Sequence, residues 1–511
     1  MPRRRKSNAR PSTLGELRAS GYESRSIKDE IRTNLSARIE SGDELFPGIL
    51  GYEKTTIPEI ENALLSGQDM IILGERGQAK SRIVRAITGL LDERVPIISG
   101  SEINDDPCAP ISRAGIDMVA EHGDDTPIEW LAREDRYGEK LATPDITMAE
   151  LLGDVDPIKV AEGRYLSDEL TIHYGLIPRT NRGIFCINEL PDLAERIQVG
   201  LFNLMEERDI QIKGYRVRMP LDILIVATAN PEDYTNRGRI ITPLKDRYGA
   251  QVRTHYPERV EDELRIAEQE RSRYPAFEER VHMPPYMAEV IGEITSLARR
   301  SPEVNQRSGV SVRMTIANLE TVRASAMRRA LRLREKMASV RVSDLSGLIA
   351  STRGKLELET IEEGRETDVI DELIKRSVLD VFNRHFRSAE LDGVVASFDP
   401  GTTVEAGQDL PSDEYVNAAS RVIGLGPVLR RLKASDQPHE VASAVEFVLE
   451  GLHLNRRLNR DSADGRVTYR EKPKPPSLRE DIEFRVDDIG SGPGDGPDRP
   501  RRRRRRPRDS E

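Results

Sequence analysis

Between Phe46 and about residue 256, short unbroken apolar runs alternate with stretches of helical period. Four runs stand out, at residues 70–73, 95–98, 184–187 and 223–227. A strand solvated on one face alternates apolar and polar residues, whereas a run without alternation suits a strand covered on both faces, as in a parallel sheet. With helical patterns between the runs, the order is βαβ and predicts a three-layer α/β domain. Residues 257–342 turn helical and rich in Arg and Ala, broken once at Pro284 and Pro285. A further helical stretch runs from about residue 343 to 460, interrupted by a Gly-, Pro- and Asp-rich segment at 397–412. The first 40 residues are polar and basic and read as a loose or helical arm. Beyond Asp461, Pro, Gly, Arg and Asp dominate; such a segment cannot bury enough apolar area to offset its ordering entropy and is expected to be disordered. The expected division is a basic arm (1–40), an α/β domain (41–256), a helical lid (257–345), a helical C-terminal region (346–460) and a disordered Arg-rich tail (461–511).

Charge sharpens the picture at the ends. The 511-residue chain has a net charge of -10, from 78 Lys and Arg against 88 Asp and Glu. Arg3, Arg4, Arg5, Lys6 and Arg10 lie in the first ten residues, and eight arginines crowd residues 499–508. Setting aside those thirteen leaves 65 basic against 88 acidic side chains, an acidic body with basic ends. No apolar run approaches the roughly 20 residues of a membrane-spanning helix. The N-terminus lacks the apolar segment of a secretory signal. Two cysteines exclude a disulfide framework and a Cys-rich zinc site, so a reducing cytoplasm is expected.

The strongest chemical signal is Gly74-Glu75-Arg76-Gly77-Gln78-Ala79-Lys80-Ser81, set between an apolar run and a helical one. Glycine lets a loop turn its N–H groups toward a phosphate, and the following helix presents its positive end to the same anion. Lys80 can reach the β and γ phosphates of ATP, and the Ser81 hydroxyl can ligate Mg²⁺. Ala79 stands where this motif has its last glycine; ordinary helical dihedrals are expected there. The run at 184–187 ends in Asn188-Glu189. In a phosphate-loop ATPase such a strand ends in a carboxylate that holds the Mg²⁺ shell, and the next Glu polarises the attacking water. Asn188 brings no charge to the shell, which predicts slow turnover. The run at 223–227 continues to Asn230, whose amide can sit between Glu189 and the γ-phosphate. Alternating residues around Gly214 read as a β-hairpin at about 209–219.

These motifs, in this order, resemble the AAA+ ATPases of the magnesium chelatase ATPase subunit and MoxR branch over residues 43–345. The similarity rests on FPGILGYE, the loop, NRGIFCINEL, ATANPED, PLKDRYG and SGVSVR, with the Ala-Lys-Ser of the loop and LMEER closer to MoxR-type members. The resemblance implies an AAA+ P-loop parallel-sheet domain followed by an α-helical lid. It also implies a homo-oligomeric ring, usually a hexamer, with ATP and Mg²⁺ between neighbours. Glu189 would be the catalytic base, Asn230 sensor 1, Arg247 a finger to the next subunit's γ-phosphate and Arg313 sensor 2. The hairpin would be an insertion facing the ring pore or a substrate, and residues 144–180 would hold a second insertion. A partner with a von Willebrand A domain is implied as well.

The function expected is ATP-driven remodelling of a protein partner. Two alternatives stay open: a nucleotide-dependent switch with weak hydrolysis, favoured by Asn188, and a nucleic-acid-associated ATPase. For the second, the Arg-rich tail could neutralise phosphates without sequence specificity, although it carries no aromatic residues to stack on bases. His173 and His255 show no metal-ligand spacing, Cys186 reads as a core residue, and Trp130 reads as a packing residue.

Overall fold

The computed structural model describes residues 10–156, 158, 169–207, 210–212, 215–217, 219–231, 239–359, 364–398, 401–463 and 466–472. Its centre is a five-stranded parallel sheet of β1 (Met70–Leu73), β2 (Tyr137–Leu141), β3 (Gly183–Asn188), β4 (Ile223–Ala229) and β5 (Ala250–Arg253), in the order β5-β1-β4-β3-β2. Alternate residues of the inner strands enter two different cores. Ile71, Phe185, Ile187, Ile225 and Ala227 fill one side; Met70, Ile72, Ile184, Cys186 and Val226 fill the other. Burial on both faces is why these strands read as continuous apolar runs. The register aligns Leu73 with Ala229, and Ala227 with Ile187. Gly74, Asn230 and the pair Asn188-Glu189 therefore emerge side by side at the carboxyl ends, where α/β sheets bind ligands.

The expectation for residues 95–98 is corrected. The strand Arg94–Ile98 lies outside the central sheet and pairs antiparallel with Ile128–Ala132. The sheet position beside β3 belongs to β2, whose residues are half-buried or exposed and whose sequence YGEKL offers no apolar run.

Of the two readings of the basic N-terminal arm, loose or helical, its described part takes the helical one. Helices Leu14–Ala19 and Ile27–Ser41 bury Leu14, Leu17, Ile27, Ile31 and Leu35. Ile27, Ile31 and Leu35 share the core that contains Met70 and Ile72. Burial of each such side chain is worth about 1.5–3 kcal/mol. Glu30 of the second helix forms a bidentate pair with Arg136 just before β2, at 2.7 and 2.6 Å, with both groups buried.

After β5 the chain is helical. The lid comprises α4 (Val260–Glu270), α5 (Pro285–Ala298) and α6 (Arg313–Leu333), where α1 to α3 are the earlier helices Lys80–Ile87, Glu195–Glu207 and Thr242–Arg247. The C-terminal region adds α7 (Arg365–His385), α8 (Ser412–Arg421) and α9 (Pro438–Leu454). One continuous core runs from Ala267 through Ile291, Phe382 and Phe447 to Tyr469, so lid and C-terminal region are packed together instead of parting at residue 345.

The expectation of disorder from residue 461 is corrected over the described residues. Leu458–Ala463 and Arg466–Glu471 form an antiparallel hairpin, with Val404–Gly407 as a third strand on its edge. Tyr469 is buried there and its hydroxyl donates to Glu450 at 2.5 Å, a tertiary anchor that composition does not reveal. The remaining tail, with the arginines of 499–508, lies outside the described residues. Short antiparallel strands Ile210–Ile212 and Tyr215–Val217 occupy the predicted hairpin, with Gly214 outside the described residues. In the segment 144–180, Gly153–Val155 pairs with Ile172–Tyr174, and residues 157 and 159–168 lie outside the described residues. Among the described residues, no helix is long and apolar enough to cross a membrane.

Candidate functional site

A cleft of about 540 Å³ opens at the carboxyl ends of β1 and β3 and is closed on one side by the lid. Its walls come from the segment Gly48 to Tyr52, the loop from Arg76 to Ser81, Asn188 and Glu189, His255, and the lid residues Ile266, Val312, Arg313 and Ile316. Five basic side chains (Arg76, Lys80, Arg82, Arg85 and Arg313) and two carboxylates (Glu189 and Glu270) line it. That balance favours a polyanion.

The loop is held open by contacts that require its glycines. A Cβ on Gly77, whose φ is +77°, would meet the Ser311 hydroxyl at 1.9 Å, and one on Gly74 would meet the Thr254 hydroxyl at 1.8 Å. The Gln78 side chain turns inward: its amide oxygen accepts from the Glu75 N–H at 3.0 Å and from the Thr254 hydroxyl at 2.7 Å. Gln78 thus braces the loop through its side chain. Ala79 departs from expectation. It is left-handed, with φ 57° and ψ 17°, immediately before α1. A non-glycine residue there costs about 1 kcal/mol, so the missing glycine is a strained position of the loop.

Lys80 is buried at the start of α1. Its ammonium donates to the carbonyls of Gly74 at 2.5 Å and Glu75 at 3.0 Å, and to Asn230 Oδ1 at 2.5 Å. The other end of the Asn230 amide donates to Glu189 Oε2 at 2.7 Å. Asn230 thereby bridges the lysine and the carboxylate. Glu189 itself is left-handed, with φ 58°. Its N–H donates to the Thr228 hydroxyl at 3.1 Å.

Asn188 lies beside Ser81, with its Nδ2 donating to the serine hydroxyl at 3.2 Å. Two further groups were not evident in the sequence. The Thr228 hydroxyl donates to Asn188 Oδ1, and Glu139 of β2 accepts from Asn188 Nδ2 at 3.3 Å. Both sit on strands flanking β3, and nothing in the local sequence around either marks it. The Ser81 hydroxyl and the Glu189 carboxylate line the cleft, with Asn188 between them and Glu139 behind Asn188, and oxygen groups of this kind suit hard Mg²⁺ together with phosphate oxygens.

Arg313, at the first position of α6, lines the cleft opposite Lys80. Arg247 does not reach it. Its guanidinium pairs with Glu206 at 3.0 Å and stacks 4.5 Å over Phe202, on the outer side of α2 and α3. His255, read as isolated, is part of the cleft wall and hydrogen-bonds Thr55 at 2.7 Å. Tyr52 donates its hydroxyl to the carbonyls of Gln78 at 3.0 Å and His255 at 2.8 Å. Burial pushes the Tyr52 phenol well above its ordinary value, so it stays a donor. Tyr256 ties lid to loop: its hydroxyl donates to the Arg76 carbonyl at 2.9 Å while Arg299 stacks 4.1 Å over its ring. Burial pushes the Cys186 thiol up to about 12, in keeping with a core residue.

No family model matches the chain. It is 24% identical over 376 residues to the magnesium-chelatase subunit ChlI of Nostoc sp., covering 70% of this chain and 87% of that one. It is 25% identical over 349 residues to the ChlI subunit of Anabaena variabilis, covering 66% of this chain and 89% of that one. With the magnesium-chelatase 38 kDa subunit of Cereibacter sphaeroides it shares 26% identity over 230 residues, 43% of this chain and 61% of that one. Among solved structures, the BchI–BchD complex of magnesium chelatase aligns with 65% of this chain and 98% of that one, at 18% identity and a TM-score of 0.33. With a glycine-bearing loop, a strand ending in Asn-Glu and a helical lid around one cleft, the chain is similar to the magnesium-chelatase ChlI subunits over about two thirds of its length.

Proposed function

We propose that the chain binds ATP with Mg²⁺ in this cleft and hydrolyses it within a ring of copies to remodel a protein partner. The observation that carries the reading is the meeting of Lys80, Ser81, Asn188, Glu189, Asn230 and Arg313 at one cleft, although they come from four separate parts of the sequence. The loop amides and Lys80 would hold the β and γ phosphates, and the apolar wall of Ile49, Tyr52, Ile266 and Ile316 offers a seat for the base. Mg²⁺, where bound, neutralises charge on the phosphates; Ser81 would hold it together with the nucleotide, with Asn188 hydrogen-bonded beside the serine. Glu189, oriented by Asn230, would accept the proton of the attacking water. Arg313 ties the nucleotide's state to the lid, because it begins a helix of the lid core.

Arg247 lies off this chain's own cleft, which suits a role across a subunit boundary: a finger acting on a neighbour's nucleotide would make turnover depend on assembly. The similarity to chelatase subunits supports a ring, with a hexamer as the working expectation, and a partner protein carrying a von Willebrand A domain. The test is nucleotide binding by calorimetry and ATP turnover as a function of protein concentration. Saturable ATP binding and a turnover per subunit that rises with concentration support the reading. Lys80→Ala should abolish binding, and a wild-type chain that binds no nucleotide would overturn it.

A further inference from the structure

The residue at the end of β3 is an amide where a phosphate-loop ATPase has a carboxylate, and the hydrogen-bond network fixes which way that amide points. The Glu139 carboxylate can only accept, so the Asn188 NH₂ faces it at 3.3 Å and Oδ1 faces the Thr228 hydroxyl. The Ser81 hydroxyl lies 3.2 Å from that NH₂ and 3.5 Å from Oδ1, so the amide meets the serine edge-on. A neutral amide whose oxygen already accepts from Thr228 cannot supply the charge of a metal-shell carboxylate.

Glu139 stands directly behind that NH₂. Its two oxygens have different tasks. Oε2 is locked by Arg85, whose Nε and Nη2 lie at 3.0 and 2.8 Å, and by the Tyr137 hydroxyl at 3.0 Å. Oε1 accepts from Asn188 Nδ2, which itself lies beside Ser81. The carboxylate is mostly buried, while the side chain of its partner Arg85 is 63% exposed, so the pair with Arg85 is worth little as a stability device. An ion pair that fixes one oxygen and leaves the other on the amide at the edge of the cleft is an arrangement for positioning charge.

We propose that Glu139, supplied by the neighbouring strand, is the carboxylate of the magnesium shell that Asn188 cannot be, accepting hydrogen bonds from water on the ion. The inference rests on the nucleotide reading of the cleft and goes further, by naming the source of the missing charge. Glu139 is a positioning residue, acting through water and through Asn188.

The experiment uses the full chain and a fluorescent ATP analogue. Analogue binding is measured in EDTA and then across a Mg²⁺ titration, for wild type, Glu139→Gln, Asn188→Asp and the double variant. Loss of an outer-shell partner typically weakens a metal by about 10-fold or more. Glu139→Gln is therefore expected to raise the Mg²⁺ concentration for half-maximal effect by about 10-fold, with affinity in EDTA undiminished. Asn188→Asp should restore the midpoint in the Glu139→Gln background and shift it less in the wild-type background. A merely structural Glu139 would alter affinity in EDTA and in Mg²⁺ alike. Binding by Glu139→Gln with an unchanged Mg²⁺ midpoint, or no rescue by Asn188→Asp, overturns the role of Glu139 and leaves the nucleotide reading intact. Failure of the wild-type chain to bind the analogue overturns both.

Discussion

Replacing Asn230 by Ala isolates the bridge between loop lysine and base. Two charge-assisted hydrogen bonds are lost, from Lys80 at 2.5 Å and to Glu189 at 2.7 Å, at a residue only 8% exposed. Hydrogen bonds to charged groups are worth about 1.5–3 kcal/mol each. Their loss falls unequally on binding and chemistry. Lys80 keeps the carbonyls of Gly74 and Glu75, so its position and the affinity for ATP should change by no more than about 5-fold, well under the full worth of one such bond. Glu189 loses the amide that orients its carboxylate, and a penalty of about 2–3 kcal/mol on the transition state corresponds to a fall in kcat of about 30- to 150-fold. Steady-state turnover gives kcat, and titration of an ATP analogue gives affinity. An unchanged kcat, or affinity that falls as far as kcat, would refute the bridge as a device for aiming Glu189.

Three further expectations test the fold around the site. Ala79→Gly should stabilise the protein by up to about 0.6 kcal/mol, the relief of left-handed strain minus the added freedom of the unfolded chain, read as a slightly higher denaturant midpoint; a clearly lower midpoint would contradict the dihedral. Arg136→Met strands a buried Glu30 carboxylate and should cost about 3–5 kcal/mol, read as a melting temperature lower by several degrees; an unchanged melting temperature would show that the N-terminal helix does not dock as described. Of the two cysteines, a thiol reagent should modify exposed Cys108 in the native protein and Cys186 only on denaturation; rapid reaction of both would contradict the burial of β3.

How far the site could be read in the sequence depended on burial. β1, β3 and β4 are covered on both faces, so their apolar runs announced them, and Lys80, Asn188, Glu189 and Asn230 could be placed at their ends. β2 is half-covered and carries Gly138, Glu139 and Lys140, so its place in the sheet, and with it Glu139, was hidden. The apolar strand Arg94–Ile98 drew the assignment instead, because a run records burial without recording against what. Ala79 was misjudged because the sequence gives a residue type and not its φ. The hairpin at 458–471 was lost in a polar composition, its stability resting on Tyr469 meeting Glu450 of α9. That lid and C-terminal region share a core was equally invisible, since it depends on contacts such as Phe382 with Phe447 across 65 residues of sequence.

The central claim is that this cleft hydrolyses ATP with Glu189 as its base. The most direct measurement is ATP turnover by the full chain in Mg²⁺, beside its Glu189→Gln variant, with nucleotide affinity measured for both. The account predicts that the wild-type chain turns ATP over, and that the variant binds ATP about as tightly but slows by about 100-fold or more, the usual scale for loss of a general base. Equal turnover by the two proteins, or none by the wild type at any concentration, would contradict it.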